Sequence, residues 1–581
     1  MRSDELIVLK IGGSVLRDRD SLTRATHEVY RWRRRGAGVV VVVSALEGET
    51  DRLMSEARAA HAEPEAGACA ALLATGELRS AALLALAIGR VGLRAEVLTP
   101  HQVGMRVTGS GLDAEPVRVD ALALRTALDA VGVVVVPGFV GIGERGDLRT
   151  LGRGGSDLSA IVIAHALGAA RCRLVKDVPG LFDRDPNSPG PRARLLSRIT
   201  FDDALRLDGG IIQHKAVRFA RQRAMGFEVA GLHTGPSTRI GAPATRLAGE
   251  QAEAPPLRVG LLGLGTVGSG VLALLGAMPD RFRVVGAVCR DHRAAEARGV
   301  DPRILQRDAE GLVPECDVIV EALGGLEPAA TIVRRALRRG VHTVSANKRM
   351  LAAHLPALRA CATAGGAMLR FGAAVGGAAP VLEAAEALAD GGIIGFQGVL
   401  NGTTNFVLDS LRAGSTLEGA LALARARGLA EADPSRDLSG ADAADKLALV
   451  LGVCTRGAEF IDPRDIECEP FPLAAPAHRP GRAVVRQIGK LDLTVSPARA
   501  RVGLRELHAA HPLADVLAEE NAAAFTLRDG TVRVVRGTGA GRWPTAEAVV
   551  ADLLDIWRDS AAPGERPERA RRHPAEAVAA G

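Results

Sequence analysis

A glycine-rich segment in the middle of the chain, GLLGLGTVGSG at residues 260–270, limits what the surrounding sequence can fold into. It follows an apolar strand-like run and opens an apolar helical pattern, which is the context of a G-x-G-x-x-G fingerprint. The first glycine permits a tight turn and the second lets backbone approach a pyrophosphate, while the third lets the helix pack on the strand. The helix N-terminus then faces the anion. The cofactor-binding residues predicted at this turn are Gly263, Gly265, Thr266, Val267 and Gly268.

Composition indicates a folded, soluble protein of several domains. Hydrophobic residues make up 47% of the 581 and charged residues 24%, and the net charge is +6. The arginine-rich stretches at 31–36 and 334–340 predict solvated helix faces, because neither alternates with stacking aromatics as a nucleic-acid surface does. Seven cysteines without a C-x-x-C spacing favour a reducing cytoplasm. No targeting segment or membrane span is expected, since no stretch approaches the ~18 uncharged apolar residues of a span.

The order of strand and helix patterns divides the chain. Residues 1–240 alternate strands and helices, which predicts an α/β sandwich with a largely parallel sheet. Residues 241–256, rich in Ala, Pro and Glu, are interpreted as a linker. Residues 257–370 repeat β-α-β units in the Rossmann manner, and 371–560 predict an α+β substrate-binding and dimerisation domain, with the chain returning to the Rossmann unit near 537–557. The remainder, 561–581, is predicted to be disordered.

Charged side chains cluster in two places of the second half. Lys348 follows a strand in VSANK, and EALGG at 321–325 ends the preceding strand, so both lie where parallel strands bind ligands. The segment 428–449 carries Asp442 and Lys446 four residues apart on one face of a predicted helix. Carboxylates there can hold a substrate ammonium and hydroxyl, while a lysine can donate a proton to a developing alkoxide.

Residues 257–560 resemble homoserine dehydrogenases. The matching motifs are GLGTVG, EALGG, SANK, NGTTNF, the segment 431–446 and GTGAGRWPTAEAVVADL at 537–553. The resemblance implies reduction of aspartate semialdehyde to homoserine with a nicotinamide cofactor. It implies that Lys446 is the proton donor and that Lys348 lies beside cofactor and substrate. Further implied contacts are Glu431, Asp437 and Asp442 for the substrate, and Gly428 and Gly539 for the cofactor.

The chain departs from that family at a cation site. The family binds a structural monovalent cation near a sequence like E-A-S-V-G-G-G, whereas this chain reads GAAVGGA from Gly372. The expected carboxylate is missing, so only backbone ligands at Val375, Gly377 and Ala379 remain for a weak site.

Cofactor choice can be inferred at the second Rossmann strand. An acidic residue at its end would bind the ribose 2′-hydroxyl of NAD, but Val288 and Cys289 cannot do so, and Arg290 follows. NADP is therefore favoured, and the neighbouring Asp291 leaves NAD possible.

The first half carries two anion-binding patterns. LKIGGSVL at 9–16 places Lys10 at a strand end before a glycine turn whose backbone N–H groups can close on phosphate. TLGRGGSD at 150–157 opens a helix and presents Arg153, whose guanidinium suits a carboxylate.

With VVSAL, ATGE, PGFVG and KDVPGLFDRDP, these motifs resemble the aspartokinase branch of the amino-acid kinase family over 1–240. The resemblance implies that Glu77, Arg153 and Ser156 bind aspartate, that Asp157 organises the lysines and that Lys10 stabilises the transferring phosphoryl group. The ATP contacts so implied, with Mg²⁺, are Lys10, Gly12, Gly13, Ser14, Lys176, Asp177 and Lys215. Three positions depart from the branch: Lys176, Asn187 and GGIIQHK at 209–215.

These resemblances together predict a cytoplasmic, homo-oligomeric bifunctional enzyme of the aspartate pathway that lacks intervening regulatory domains. It would act on small molecules and not on nucleic acid or membranes. Two alternatives stay open: a homoserine dehydrogenase whose kinase-like half is structural, and a non-catalytic amino-acid sensor.

Overall fold

The structure is a computed structural model that describes residues 6–186, 188–189, 192–207, 210–232, 237–249, 255–427, 429–430, 433–469, 471 and 484–561. The predicted positions Asn187, Gly428 and Glu431 and the predicted tail beyond 561 lie outside these residues.

The N-terminal domain is built on a nine-stranded sheet in the order β13-β10-β12-β11-β9-β1-β2-β6-β3. Its central strands read LIVLKI, GVVVVV and VVVVP and are buried almost throughout, as expected for parallel strands covered on both faces. Four shorter strands form a second sheet, β5-β4-β7-β8. The strands are β1 (Leu6–Ile11), β2 (Gly38–Val43), β3 (Glu96–Val97), β4 (Arg106–Gly109), β5 (Ala114–Arg118), β6 (Val133–Pro137), β7 (Val140–Ile142), β8 (Leu148–Thr150), β9 (Arg171–Lys176), β10 (Leu196–Ile199), β11 (Phe227–Gly231), β12 (Ser237–Ile240) and β13 (Arg246–Leu247). The helices are α1 (Arg19–Arg34), α2 (Glu49–Ala60), α3 (Ala66–Arg90), α4 (Pro100–Val103), α5 (Ala121–Val131), α6 (Gly155–Leu167), α7 (Phe201–Arg206) and α8 (His214–Gln222).

The central domain is a parallel Rossmann sheet of six strands in the order β16-β15-β14-β17-β18-β19. The glycine-rich segment lies between β14 and α9, as the sequence predicts. The strands are β14 (Leu257–Leu262), β15 (Phe282–Val288), β16 (Leu305–Gln306), β17 (Val318–Glu321), β18 (His342–Ser345) and β19 (Leu369–Arg370). The helices are α9 (Thr266–Gly276), α10 (His292–Ala297), α11 (Ala309–Leu312), α12 (Ala329–Arg338) and α13 (Lys348–Gly365).

The C-terminal domain packs helices on one face of a mostly antiparallel sheet, β21-β23-β22-β20-β24-β25. The strands are β20 (Ile393–Val399), β21 (Glu467–Cys468), β22 (Val484–Asp492), β23 (Arg499–Leu507), β24 (Glu520–Leu527) and β25 (Val532–Thr538). The helices are α14 (Val381–Leu388), α15 (Gly402–Arg412), α16 (Leu417–Ala426), α17 (Ser435–Leu438), α18 (Ala441–Cys454) and α19 (Arg542–Ala561). This arrangement confirms the predicted class, an amino-acid-kinase-type α/β sandwich followed by a Rossmann domain and an α+β domain.

Helix α19 returns to the central domain and joins all three domains. Its Ala546 packs against Gly270 of α9, and one continuous apolar core contains residues of α1, α9 and α19. On the side of α1, the buried His27 ring makes a hydrogen bond through Nδ1 with the Glu547 carboxyl group. The arginine-rich stretch at 31–36 is thus not the solvated face predicted from the sequence, because the side chains of Arg31 and Arg34 are only 10% and 9% exposed.

The predicted linker is wrong for part of its length. Arg246 and Leu247 form β13, which pairs antiparallel with β10 and extends the N-terminal sheet. Polar and small residues flank this short strand and both of its side chains are exposed, so its composition resembles a linker although the backbone is paired.

One helix of the described chain, α3, is long and apolar enough to cross a membrane by length and composition alone. It buries Leu73, Leu84 and Ile88 and also the polar Glu77 and Ser80. A core helix of this kind passes the same test, so it is weak evidence for a span.

Candidate functional sites

The glycine turn of the central domain has the geometry that a pyrophosphate needs. Gly263 has a φ of +103°, and a Cβ there would lie 2.5 Å from the carbonyl oxygen of Ala322. A Cβ on Gly268 would lie 1.8 Å from the carbonyl oxygen of Gly263, so helix and strand approach too closely for any side chain. Gly265 and Thr266 are exposed, and no side chain caps the N-terminus of α9. The turn therefore fits a dinucleotide phosphate.

The end of β15 carries the residues predicted to choose the cofactor. Arg290 lies two residues after the strand and is exposed. The carboxylate of Asp291 accepts the backbone N–H of Ala294 and caps α10, so it already has a partner and is less suited to a ribose hydroxyl. Arg298, which the sequence did not single out, donates to the carbonyl of Leu264 in the glycine turn at 3.3 Å. It adds a second guanidinium beside the cofactor turn.

A buried polar network fixes the two strand ends that carry EALGG and SANK. Glu321 is fully buried and accepts hydrogen bonds from the Ser345 hydroxyl at 2.6 Å and the Asn347 amide at 3.2 Å. Asn347 also caps α13 by accepting the N–H of Met350. The network therefore fixes the first residue of α13, which is Lys348.

Lys348 and Lys446 meet at one carboxylate. The Lys348 ammonium lies 2.5 Å from Oδ1 of Asp442, and the Lys446 ammonium lies 2.7 Å from Oδ2 of the same residue. Asp442 and Lys446 are one turn apart in α18, as predicted, and both are buried, whereas the side chain of Lys348 is 40% exposed. The Lys446 ammonium also donates to the carbonyl oxygen of Leu400. Two ammonium groups and one carboxylate are thus held together at the domain boundary.

Asn401 completes this cluster and was not among the predicted site residues. Its amide donates to Asp437 at 2.7 Å and to Asp442 at 2.9 Å, and its own carbonyl oxygen caps α15. The motif NGTTNF could have identified Asn401 from the sequence. An asparagine before a helix is a strong N-cap through its side-chain oxygen, and its NH₂ group can then bind other residues. We name the five residues Lys348, Asn401, Asp437, Asp442 and Lys446 the lysine–aspartate cluster.

The environment shifts the pKa values of the two lysines in opposite directions. Burial lowers the pKa of Lys446, and Asp442 opposes this only in part. Burial also acts on Lys348, but Asp442 outweighs it and raises the pKa of that ammonium. Burial raises the pKa of Asp442, yet Lys446 and then Lys348 hold it well below its usual range. Titratable groups whose pKa values are pushed apart are suited to different acid–base roles.

Gly539 is connected to the same cluster through Asn521. A Cβ at Gly539 would lie 2.5 Å from the side chain of Asn521, and the Asn521 amide donates to the Leu400 carbonyl at 3.4 Å. That carbonyl is the acceptor of Lys446. The predicted cofactor contact Gly539 is therefore linked to the predicted proton donor through Asn521 and the Leu400 carbonyl.

The residues at the implied cation site do not fit a carboxylate-bound cation. A side chain at Gly372 would begin 2.3 Å from Oε1 of Glu383 and 2.9 Å from Nη2 of Arg34. Of the three predicted backbone ligands, Val375, Gly377 and Ala379, the Ala379 carbonyl already accepts the N–H of Val381 at 2.8 Å. The positive charge at this place is the guanidinium of Arg34.

The N-terminal domain holds a second lysine pair on one aspartate. Lys10 on β1 lies 2.7 Å from Oδ1 of Asp157, and Lys176 on the neighbouring β9 lies 2.8 Å from Oδ2. A Cβ at Gly12 would lie 3.0 Å from the Lys10 ammonium, and one at Gly13 would lie 2.7 Å from the carbonyl of Ala45. These contacts bring together the glycine turn after β1 and the start of α6, which fits a phosphate site.

Burial and the neighbouring charges shift the pKa values in this second site in opposite directions. Burial raises the pKa of Asp157, but Lys10 and Lys176 lower it below its usual value, and burial lowers the pKa of Lys176. Ser14 donates to Asp177 at 3.3 Å, so the residues predicted to contact ATP, apart from Lys215, lie along one edge of the sheet.

The predicted aspartate contacts differ in exposure. Glu77 of α3 is buried, and burial raises its pKa to about 8. Ser156 is buried in the first turn of α6, and Arg153 is exposed just before it.

Lys215 does not join the other predicted phosphate contacts. Its ammonium lies 2.9 Å from Asp113 and 3.0 Å from Glu115, and it donates to the carbonyls of Ala114 and Leu151. Among the described residues, no ion pair or hydrogen bond joins Lys215 to Lys10, Asp157 or Lys176. In the sequence, Lys215 at the start of α8 matches the phosphate-contacting lysine of other amino-acid kinases. Its ion pairs with carboxylates on and before β5 are long-range contacts that the sequence does not indicate.

Comparisons with known proteins identify both halves. Residues 5–227 match the model of the amino acid kinase family, 263–372 the NAD binding domain of homoserine dehydrogenase, and 380–554 homoserine dehydrogenase. A homoserine dehydrogenase from Synechocystis is 33% identical over 322 residues, which cover 52% of this chain and 73% of that protein. An aspartokinase from Thermus thermophilus is 30% identical over 331 residues, covering 56% of this chain and 80% of that protein.

The chain belongs to the homoserine dehydrogenase and aspartokinase families. A solved homoserine dehydrogenase from Thiobacillus denitrificans is similar in fold, with a TM-score of 0.50 and 34% identity over 53% of this chain and 74% of that one. Both enzyme domains are therefore present in one polypeptide, which supports the bifunctional interpretation over a dehydrogenase whose kinase-like half is only structural or senses an amino acid.

Proposed function

We propose that the homoserine dehydrogenase domains reduce L-aspartate 4-semialdehyde to L-homoserine with NADPH, and that the aspartokinase domain phosphorylates L-aspartate with ATP. The observation that carries this proposal is the same in both halves. A buried aspartate, Asp442 or Asp157, holds two lysine ammonium groups, and each enzyme half also carries a glycine turn suited to phosphate.

In the dehydrogenase, Lys446 is the proton donor. A buried lysine with a lowered pKa gives up its proton more readily at neutral pH, and general acid catalysis needs such a match. Asp442 orients Lys446, and Lys348 stays charged and stabilises negative charge that develops on the substrate oxygen. Asp437 and Glu431 are proposed to hold the substrate ammonium. The turn at 263–268 would hold the pyrophosphate of the nicotinamide cofactor and Gly539 would contact the cofactor, which when bound would supply the hydride.

In the kinase, Lys10 and Lys176 neutralise the phosphates and Asp157 fixes both lysines. Positioning and charge stabilisation make up most of phosphoryl-transfer catalysis, so two ammonium groups held by one carboxylate suit the task. Glu77, Arg153 and Ser156 are proposed to bind aspartate. The described residues offer no group of three or more His, Cys, Asp or Glu side chains that could hold a metal, so Mg²⁺ is proposed to arrive with ATP.

The finer assignments are also proposals. Arg290 and the capped Asp291 support NADP over NAD. The protein is proposed to be a cytoplasmic homo-oligomer that acts on small molecules. Aspartyl phosphate made by the kinase must be reduced by a third enzyme before the dehydrogenase can use the product, so direct transfer between the two sites is not required.

A dehydrogenase with a non-catalytic kinase domain is the second candidate, and the position of Lys215 favours it. Its ammonium is paired with two carboxylates instead of lying with Lys10 and Lys176.

One experiment with the full chain decides between the two. Aspartate-dependent ADP formation and semialdehyde-dependent NADPH oxidation are measured on the same preparation, with Asp157→Asn and Asp442→Asn as matched variants. We expect each variant to abolish one activity and leave the other. An intact dehydrogenase without any ADP formation would support the second candidate.

A further inference from the structure

Arg34, near the C-terminal end of the kinase helix α1, is inserted into the dehydrogenase. Its Nε donates to Glu383 of α14 at 2.7 Å and its Nη1 to Asp555 of α19 at 3.1 Å, while Nη2 pairs with Asp552. The Arg34 side chain is 9% exposed and that of Asp552 is 1% exposed. One guanidinium from the first domain thus satisfies three carboxylates on two helices of the other enzyme.

This cluster surrounds Gly372. The second oxygen of Asp552 accepts the backbone N–H of Gly372 at 2.9 Å, so Arg34 and this backbone amide share one carboxylate. A side chain at 372 would run into Glu383 and Arg34, as described above. The glycine that replaces the family's carboxylate is therefore the residue that makes room for the arginine.

The segment that begins at Gly372 leads to the active site. Gly377 packs against Gly539, whose carbonyl would lie 2.6 Å from a Cβ at 377, and the Ala378 N–H donates to the carbonyl of Thr538 at 2.9 Å. Gly539 touches Asn521, and Asn521 shares the Leu400 carbonyl with Lys446. An unbroken series of contacts thus joins Arg34 to the lysine–aspartate cluster.

The kinase domain also contacts the end of the segment 372–379 that packs against Thr538 and Gly539. The backbone N–H and the hydroxyl of Thr538 both donate to the carbonyl of Gly92 at 3.2 Å. Gly92 follows α3 in the kinase domain, and a Cβ on it would lie 2.8 Å from Thr538 and 2.9 Å from Ala378. The segment 372–379 is therefore fixed by the kinase domain at both of its ends.

We propose that Arg34 is a positioning residue of the dehydrogenase, whose guanidinium takes the place of the monovalent cation and so holds the segment 372–379 against Gly539. A fixed charge delivered by the neighbouring domain needs no ion from solution. Its planar fork also reaches several carboxylates at once, which a lysine cannot do. The proposal rests on the dehydrogenase activity of the chain.

The test compares Arg34→Met with Arg34→Lys, using Arg58→Met on the exposed surface of α2 as the control. We expect Arg34→Met to lower kcat for semialdehyde reduction about ten- to a hundredfold, because a small displacement of catalytic groups has effects of that size. Arg34→Lys should recover part of the loss, and Arg58→Met should behave as the unmutated chain. The unmutated enzyme should work equally well in potassium chloride and in choline chloride of the same ionic strength.

Amide hydrogen exchange provides a readout that is independent of activity. Residues 372–379 should exchange faster in Arg34→Met, while the sheet around β1 and β2 stays protected. If Arg34→Met does not fold, Asp552→Asn tests the same contact, because it keeps the shape of the side chain and removes its charge.

Three outcomes would overturn the proposal: full kcat in Arg34→Met, unchanged exchange of 372–379, or strong activation of the unmutated enzyme by potassium over choline. Absence of dehydrogenase activity from the unmutated chain would instead refute the proposed function. The exchange experiment would still decide whether Arg34 fixes the segment.

Discussion

Lys446 lies one helical turn after Asp442 in α18, and its ammonium is 2.7 Å from the Oδ2 atom of that carboxylate. The other oxygen of Asp442 is taken by Lys348 from a different domain. The proposed proton donor is therefore held by a local contact within α18, and a long-range contact from the Rossmann domain completes the cluster.

Replacing Lys446 by alanine should nearly abolish the reaction. A general acid acts mainly in the transition state and is worth about 10² to 10⁴ in rate, so kcat should fall by that factor. NADPH affinity should stay within a few-fold of the unmutated value, measured by fluorescence titration. Lys490→Ala, at an exposed lysine of β22, is the matched control. A loss of kcat smaller than about tenfold contradicts the assigned role.

Arg290 should set the cofactor preference. We expect kcat/KM to favour NADPH over NADH in the unmutated enzyme, because an arginine–phosphate contact is charge-assisted and stronger than a neutral hydrogen bond. Arg290→Ala should shrink this ratio, whereas Arg293→Ala, also exposed and on α10, should leave it unchanged. Equal use of both cofactors by the unmutated enzyme would show that the arginine does not read the 2′-phosphate.

Aspartate binding to the kinase should depend on pH through Glu77. Burial raises the pKa of Glu77 to about 8, so the carboxyl is mostly protonated at pH 7 and must lose its proton to pair with an ammonium. Below that pKa, affinity for aspartate should rise about tenfold per pH unit and then level off above it. Calorimetric titrations between pH 6.5 and 9 measure this.

The matched variants for that experiment are Glu77→Gln and the exposed Glu56→Gln. The first should flatten the pH dependence, and the second should keep it. The same pKa shift has a stability consequence with a defined sign. The folded state retains a proton that the unfolded state has lost between about pH 4.5 and 8, so the free energy of unfolding should fall over that range in the unmutated chain and less so in Glu77→Gln.

Threonine and lysine should leave the kinase rate unchanged except for weak competition with aspartate. Allosteric inhibition needs a second site that one conformation favours. The chain places only residues 241–256 between β12 and β14, part of which adds a strand to the kinase sheet. Titrating each amino acid at low and at saturating aspartate separates the cases, because inhibition that survives saturation reveals a regulatory site.

The sequence predicted contacts that are local and motifs that are linear. The pairing of Asp442 with Lys446 follows from helical spacing, and the turn at 263–268 follows from its glycines. Asn401 was visible in a motif, but its bond to Asp442 spans 41 positions and depends on how α15 packs. Arg34 was misinterpreted as solvated, because its partner Asp552 is 518 positions away and no local pattern reports such a pair. The ion pairs of Lys215 could not be predicted for the same reason, since its carboxylate partners lie on and just before β5.

Helix α19 is synthesised after every other described element, yet it covers apolar side chains of both α1 and α9. A ribosome adds about 5–20 residues per second, so the kinase sheet can fold long before this helix leaves the exit tunnel. During that interval the surfaces that α19 will cover have no native partner, and exposed apolar surface of this kind promotes aggregation. A chain that terminates before Arg542 would therefore leave the surfaces of α1 and α9 that this helix covers without their native partner.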